Sequence, residues 1–371
     1  MIFFFLFLSL IYITVKVYSF TLWRHRTIRK NNQDVVRPLS ILVIARDEEE
    51  LIKACLSSIV ANQYPSESYE IILVDDHSSD RTVAYAESLN IQNLRVVRLS
   101  EYIREDDRVA YKKAAQKLGV QLANNEVILQ TDADCIVPEH WIRTMMTYLN
   151  GHRFVTGPIK ITGKGFLSLW QLYDGLLTVI GTFTGIQKRW WYSSNAGNMA
   201  FHKADFLNFI AEGYSPGASG DDMFFVNYLA SQKYDVAFAN EKSAVVTTQA
   251  EPTFRSLFQQ RLRWASKTTA YNKNGIQILM GFVFLFYLIL VLLITAIPFL
   301  STQLLMILLA GVVIKWITDL LLLTYSSGFY DENYSLGLSP FFSIAHMAYV
   351  VVIGCAGLIV KSYQWKGRQV R

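Results

Sequence analysis

The stretch VILQTDAD, from Val127 to Asp134, decides how this 371-residue chain is read. Val127 to Leu129 are an apolar run of strand type, and two carboxylates, Asp132 and Asp134, follow one residue apart where the strand should end. In an open α/β sheet, ligands collect at the carboxyl ends of strands. A D-x-D there can present two carboxylates to a hard divalent cation, which takes oxygen ligands and bridges substrate phosphates. An acidic surface turn has the same composition, so the neighbouring segments have to decide between the two.

Upstream, LSILVIA (Leu39 to Ala45) is continuously apolar, as expected of a strand buried on both faces. Asp47 to Glu50 then precede a helical pattern through Leu51, Ala54, Cys55, Ser58 and Ile59, a fitting charge for a helix start. EIILVDDHSSDRT (Glu70 to Thr82) reads as a second buried strand ending in Asp75 and Asp76, with Ser and Asp residues able to cap the next helix. The two carboxylates are placed to accept hydrogen bonds from a base or ribose, or simply to cap that helix. LRVVRL (Leu94 to Leu99) is a third strand, Arg108 to Ala123 a helix, and VILQT a fourth strand. Strands alternating with helices predict a mostly parallel, Rossmann-like α/β sheet. No G-x-G-x-x-G follows the first strand and no G-x-x-x-x-G-K-[ST] occurs, which weighs against dinucleotide oxidoreductases and nucleoside triphosphatases.

Downstream, SSNAGNMAFHKADF (Ser193 to Phe206) joins small polar residues to a short apolar strand. SPGASGDDMFFVNYL (Ser215 to Leu229) puts Asp221 and Asp222 at the start of an amphipathic helix. They complement the helix dipole. A carboxylate near a metal site is also the group that can take a proton from an attacking hydroxyl. PTFRSLFQQRLRWASK (Pro252 to Lys267) is a helix on which Gln260, Arg263 and Trp264 share a face. Arg263 can hold a phosphate by two parallel hydrogen bonds. Trp264 can stack on a sugar or border an acceptor path, and an Arg-Trp pair is equally at home as an interfacial anchor.

Hydrophobic residues make up 52% of the chain and charged ones 18%, too apolar for an ordinary soluble protein. Ile2 to Phe20 is roughly long enough to span a bilayer and is followed at once by Arg24, His25, Arg26, Arg29 and Lys30. A secretory signal carries its charge before the apolar core, so residues 1–23 read as a retained anchor with the following chain in the cytoplasm. Ile276 to Tyr325 divides near Pro298 to Gln303 into two helices of spanning length, and Pro340 to Val360 is a third candidate. Three crossings would put the basic tail KSYQWKGRQVR outside, against the charge rule, so we expect one segment not to span. The expected organisation is an anchor at 1–23, a cytoplasmic domain at 38–274 and a membrane region at 275–371 with two to three spans. The net charge of +5, with no basic cluster outside the membrane flanks, argues against nucleic acid as a partner. Cys55, Cys135 and Cys355 are too scattered for a disulfide framework or a zinc site.

DDHSSDRT, the TDAD strand end, the GDD pair and QRLRW, in this order, resemble the family 2 glycosyltransferases. The likeness is greatest to the membrane-anchored members with a Q-x-x-R-W motif, such as cellulose and hyaluronan synthases and ceramide glucosyltransferases. The resemblance covers the whole segment between the membrane ends and implies a GT-A fold. It implies inverting transfer from a nucleoside-diphosphate sugar, with a UDP-sugar expected, assisted by Mg²⁺ or Mn²⁺. On the matching positions, Asp75 contacts the base with Asp76 beside it, and Lys112 or Lys113 lies near the nucleotide. Asp132 approaches ribose and metal, and Asp134 is the direct metal ligand. Asp222 is the general base, in a slot where relatives usually read Glu-Asp, so the supporting role of Asp221 is in doubt. Gln260, Arg263 and Trp264 close over the diphosphate and acceptor, and Asn195, Gly197 and Asn198 line the substrate pocket.

About four candidate spans are too few for the polysaccharide channel of a synthase, so a membrane-lipid acceptor is expected, with a saccharide as the alternative. GFLSLWQLYDGLLTVIGTF (Gly165 to Phe183) fits an amphipathic helix on the bilayer surface or an ordinary core helix. A processive synthase, an inactive sugar-nucleotide-binding scaffold and a metal-dependent phosphotransferase are the competing readings. Four intact carboxylates speak against the scaffold, and QRLRW has no role in the phosphotransferase.

Overall fold

The computed structural model describes residues 2–28, 36–103, 111–213, 221–265, 274–331, 336–360, 363–365 and 368–370. Helix α1 (Ile2–Arg24) opens the chain. Then β1 (Leu39–Ala45), α2 (Ile52–Val60), β2 (Tyr69–Asp75), α3 (Thr82–Glu87), β3 (Leu94–Arg98), α4 (Tyr111–Leu122) and β4 (Val127–Asp132) alternate as the sequence predicts. The chain continues through β5 (Cys135–Ile136), α5 (Trp141–Leu149), β6 (Phe154–Thr156), β7 (Ile159–Thr162), α6 (Phe166–Lys188), β8 (Met199–His202) and α7 (Lys203–Ala211). It proceeds to α8 (Asp221–Ser231), β9 (Val236–Phe238), β10 (Val246–Gln249) and α9 (Phe254–Ala265). Part of the predicted helix from Arg108 and the stretch Ser215 to Gly220 lie outside the described residues.

Seven strands form one sheet in the order β3-β2-β1-β4-β8-β6-β9, and β8 alone among them is antiparallel to its neighbours. The period-two pattern of β1 sends Leu39, Ile41 and Val43 into a core with α2 and α5, and Leu42 and Ile44 into a second core with α4. Both faces are therefore covered, which is why this strand reads as one unbroken apolar run. At Gly119 a β-carbon would lie 2.3 Å from Leu42 Cδ1, so α4 rests directly on the sheet. From β1 the chain steps outward through β2 and β3, then returns to place β4 on the other side of β1. This reversal opens a crevice at the strand ends. The register sets Ile44 opposite Asp132 and Ala45 opposite Asp75. Asp75 and Asp132 thus flank the end of β1, two strand spacings or roughly 10 Å apart.

At the C-terminal end come α10 (Asn274–Thr295), a 3-10 turn at Ile297–Phe299, α11 (Thr302–Phe329) and α12 (Ser339–Ile359). With α1 these make four helices long and apolar enough to cross a membrane among the described residues. Tyr12 of α1 stacks on Phe286 and its hydroxyl lies 2.9 Å from that of Tyr287 on α10. Helix α12 touches both α10 and α9. His346 faces Tyr287 and Gly354 meets Phe284, while Gly357 approaches Ala265 at the end of α9. The tail hairpin of β11 (Tyr363–Trp365) and β12 (Arg368–Val370) follows, with β11 against α9. The segment from Gly165 to Phe183 forms most of α6, which is wedged between the sheet and the apolar helices. Its Tyr173, Leu176 and Ile180 are fully buried, so it is a core helix over much of its length.

Candidate active site

The loops after β1 and β2 are stitched together. Asp47 N–H donates to Ser78 Oγ at 3.0 Å and Ser79 N–H to Asp47 Oδ1 at 2.8 Å. Glu48 N–H donates to Thr82 Oγ1 at 2.8 Å, Glu49 N–H to Asp80 Oδ2 at 3.0 Å, and Arg81 N–H to Glu49 Oε2 at 3.1 Å. The acidic run ahead of α2 also locks two strand-end loops. Asp80, not Asp75 or Asp76, meets the start of α3, through Thr82 N–H at 2.9 Å. Asp75 sits inside this rim with Ser78 N–H 3.3 Å from each carboxylate oxygen. Burial pushes its carboxyl above the ordinary carboxylate range, against the pull of Ser78. Asp76 is fully buried between Arg46 Nη1 at 3.8 Å and His77 Nδ1 at 3.2 Å, so it braces the loop from behind.

Two other expected residues pair at the end of β4, within electrostatic reach of two more. Lys112 of α4 donates to Asp132 Oδ1 at 2.9 Å. Burial works against its charge, but Asp132 outweighs burial and Asp222 adds to it. The ammonium therefore holds its proton above the ordinary lysine range despite the nearby Arg263 guanidinium. One lysine thus lies within electrostatic reach of the strand-end carboxylate, the carboxylate of α8 and the arginine of α9. Lys113 turns toward α8, with Nζ 6.0 Å from the centre of the Phe224 ring. Asp222 Oδ2 accepts from Ala196 N–H at 3.1 Å, joining α8 to the loop before β8. The Asp221 side chain lies outside the described residues.

Asp134 Oδ2 accepts from Thr248 Oγ1 at 3.3 Å, and Cys135 Sγ lies 3.5 Å from its Oδ1. Burial, followed by Asp134 and Asp132 together, pushes both the Cys55 and Cys135 thiols up. The two carboxylates of the D-x-D therefore share one neighbourhood. Among the described residues no group of three or more His, Cys, Asp or Glu could hold a metal ion. Two carboxylates suit a hard cation that keeps water and takes its remaining oxygens from substrate phosphates.

The loop 193–198 is mostly architecture. Asn195 Oδ1 accepts from Gly197 N–H at 3.0 Å, and Gly197 O accepts from Thr131 Oγ1 at 2.9 Å. A β-carbon at Gly197 would lie 3.1 Å from Ile159 Cδ1 and 3.2 Å from Cys135 Sγ, so this glycine permits close packing. Asn198, expected to line the substrate pocket, is held inside the fold. Its Nδ2 donates to Pro158 O at 2.9 Å and Ala244 O at 2.7 Å, and its Oδ1 accepts from Trp141 Nε1 at 2.9 Å. Fully buried, it pins three segments together. The residue of this loop left exposed is Asn195.

On α9, Gln260 Nε2 donates to Glu251 Oε1 at 2.8 Å, and Trp264 is 42% exposed. Its ring lies 4.2 Å from the guanidinium of Arg261, a residue the motif reading leaves aside. Arg261 is buried, with Nη2 2.9 Å from Asp174 Oδ2 on α6. Burial raises the Asp174 carboxyl, but Arg261 and then His346 outweigh it and hold it below the ordinary range. A lone acid within a long apolar helix was the available signal for this pair.

The family model for glycosyl transferase family 2 matches residues 40–207, and that for glycosyl transferase family group 2 matches residues 127–331, more than half of the chain. The chain is a family 2 glycosyltransferase. It is similar to glycosyltransferase AglE of Haloferax volcanii, 22% identical over 61% of this chain and 71% of that protein. It is also similar to the beta-monoglucosyldiacylglycerol synthase of Synechocystis sp., 25% identical over 61% of this chain but 46% of the synthase, less than half its length. A mannosyltransferase from Pyrobaculum calidifontis, solved with GDP-Man and Mn²⁺, superposes with a TM-score of 0.55 at 17% identity over 96% of both chains. That likeness shows the fold, and this glycosyltransferase has the mostly parallel sheet of the GT-A class.

Proposed function

We propose that this glycosyltransferase moves one sugar from a nucleoside-diphosphate sugar, with a UDP-sugar as the reading carried from the family, to the hydroxyl of a membrane lipid with inversion at the anomeric carbon. The observation that carries the reading is the Lys112–Asp132 pair at the end of β4, within electrostatic reach of Asp222 and Arg263. In this reading Asp75 accepts from the base, while Lys112 and Arg263 receive the diphosphate. The cations are already in place when charge grows on the departing group. Asp222 takes the proton of the attacking hydroxyl. Asp132 and Asp134 would hold Mg²⁺ or Mn²⁺, which supplies Lewis-acid stabilisation of the leaving diphosphate. The Mn²⁺ in the mannosyltransferase supports a divalent ion of this kind.

A lipid acceptor draws support from the similarity to a glucosyldiacylglycerol synthase. It also draws support from an apolar cavity of about 250 Å³ between α6, α9 and α12, lined by Trp170, Phe254, Leu257, Phe258 and Tyr349 among others. In the proposed arrangement residues 1–23 anchor the chain, 38–274 form the cytoplasmic transferase and 275–371 the second membrane region. Helices α1, α10 and α11 cross, whereas α12 lies at the interface. The return of its last turn and of the tail hairpin to α9 supports this, and it leaves the basic tail on the cytoplasmic side.

The test is release of nucleoside diphosphate by the full-length protein in detergent, from a panel of sugar nucleotides with Mg²⁺ or Mn²⁺, with and without membrane lipid extract. Metal-dependent release that needs lipid is the expected result. Lipid-independent release with a growing polymer would replace this reading with a synthase, and donor binding without turnover would replace it with a scaffold.

A further inference from the structure

Arg261 and Trp264 lie one turn apart on α9, yet their surroundings differ. Trp264 is half-exposed, next in sequence to Arg263, whereas Arg261 points into the helix layer and is 6% exposed. Its guanidinium is held between the Trp264 ring at 4.2 Å and Asp174 at 2.9 Å. Asp174 is fixed in turn, with His346 Nε2 of α12 3.3 Å from its Oδ1. The preceding residue on α6, Tyr173, donates to Asp319 Oδ2 of α11 at 2.6 Å. Asp319 is bonded to Lys315 and accepts from Ser343 of α12 at 3.0 Å. Adjacent residues of α6 thus fasten α9, α11 and α12 through buried polar groups.

We propose that Asp174 is a positioning residue for acceptor transfer: by fixing the guanidinium of Arg261 from behind, it fixes the Trp264 ring that stacks on the other side. A carboxylate holds a guanidinium in a defined plane through directional, charge-assisted hydrogen bonds. An aromatic ring over that plane gains both stacking and cation–π attraction, so the ring inherits the orientation of the pair. The membrane-side helices, through His346 and the Asp319 cluster, thereby set the angle of a side chain at the edge of the transfer site. A lysine at 261 keeps the charge but loses the plane. The functional half of this inference rests on the reading of Trp264 as bordering the acceptor path; the geometric half does not.

The experiment uses the full-length protein in detergent, grown with 5-fluorotryptophan. The Trp264 resonance is assigned by its loss in Trp264→Phe. Asp174→Asn and Arg261→Lys are each expected to shift or broaden that resonance. In the same preparations, metal-dependent binding of nucleoside diphosphate stays within about twofold of wild type. Transfer to lipid falls about ten- to a hundredfold, the scale expected when a positioning group is misplaced by about an ångström. In a Trp264→Ala background Asp174→Asn is expected to add less than about twofold, because coupled residues are not additive. An unmoved resonance in Arg261→Lys, with or without a foldable Asp174→Asn, would overturn the proposal. So would full additivity of the two substitutions, or parallel loss of donor binding and transfer. If wild-type protein transfers to no acceptor, the functional reading falls while the resonance still decides the positioning.

Discussion

The sheet rim and the helix layer beside it hold their charges in opposite ways. At the rim, Asp132, Lys112 and Arg263 are partly buried, and the loops carrying Asp75 are locked by hydrogen bonds from backbone N–H groups to side chains. In the layer, Asp174, Arg261, Lys315 and Asp319 are enclosed among apolar helices and paired with one another, Arg261 with Asp174 and Lys315 with Asp319. A partly exposed ion pair contributes little to stability and can exchange partners when a ligand arrives. A buried pair is costly to break from one side, because the remaining charge has no water to turn to. The rim is therefore built to receive a ligand, and the layer to hold helices in place.

Several substitutions sharpen that contrast. The largest effect belongs to the rim. Asp222→Asn is expected to cut transfer by about 10²–10⁴-fold, the usual contribution of a general base, while nucleoside diphosphate still binds in a titration. Near-wild-type transfer would remove Asp222 from the role. In the layer, Lys315→Met leaves Asp319, among the described residues, with Lys16 at 4.0 Å as its remaining ion-pair partner. A loss of about 3 kcal/mol is expected in denaturant unfolding of the detergent-solubilised protein, at the low end for a broken buried pair. The double change Lys315→Met with Asp319→Leu should cost less than Lys315→Met alone. The reverse order would show that the cluster is not a mutual pair.

Asp134→Ala returns the comparison to the rim. Donor affinity in the presence of Mn²⁺ should fall at least about tenfold, since even partners of metal ligands contribute that much. Equal affinity with and without metal in wild type would contradict the assignment. Asn198→Ala should destabilise by about 1–3 kcal/mol through the Ala244 carbonyl and the buried Trp141 indole N–H that lose Asn198 as partner, at unchanged donor affinity per folded molecule. A specific loss of donor binding would restore its expected contact with substrate. The smallest effect is the pH response of Asp75. Its carboxyl is raised, so its charged form is lost at higher pH than for an ordinary carboxylate. Donor affinity should therefore weaken on acidification before the protein unfolds, and Asp75→Asn should flatten that limb.

The rim was largely legible because its chemistry is carried by local patterns. Apolar runs ending in carboxylates define both the parallel strands and the level at which Asp75 and Asp132 emerge. The antiparallel insertion of β8 was not legible, since a four-residue strand has the same composition in either direction. The buried bonds of Asn198 were not legible, because a polar residue in a small-residue loop looks alike whether it faces a ligand or a buried carbonyl. The layer was the least readable. Asp174, Arg261, His346 and Asp319 lie far apart in sequence, and their pairing exists only once four helices have packed. Lys315 and Asp319, four apart within an apolar block, gave a local trace of it.

The claim that both regions serve one reaction is tested most directly by following the sugar itself. The full-length protein, in vesicles of its own membrane lipids, would receive a donor labelled in the sugar, and the solvent-extracted product would be analysed for sugar count and anomeric configuration. The account predicts a single labelled sugar on an extractable lipid, with configuration opposite to that in the donor. Label in a water-soluble polymer, or retained configuration in the lipid product, would contradict it.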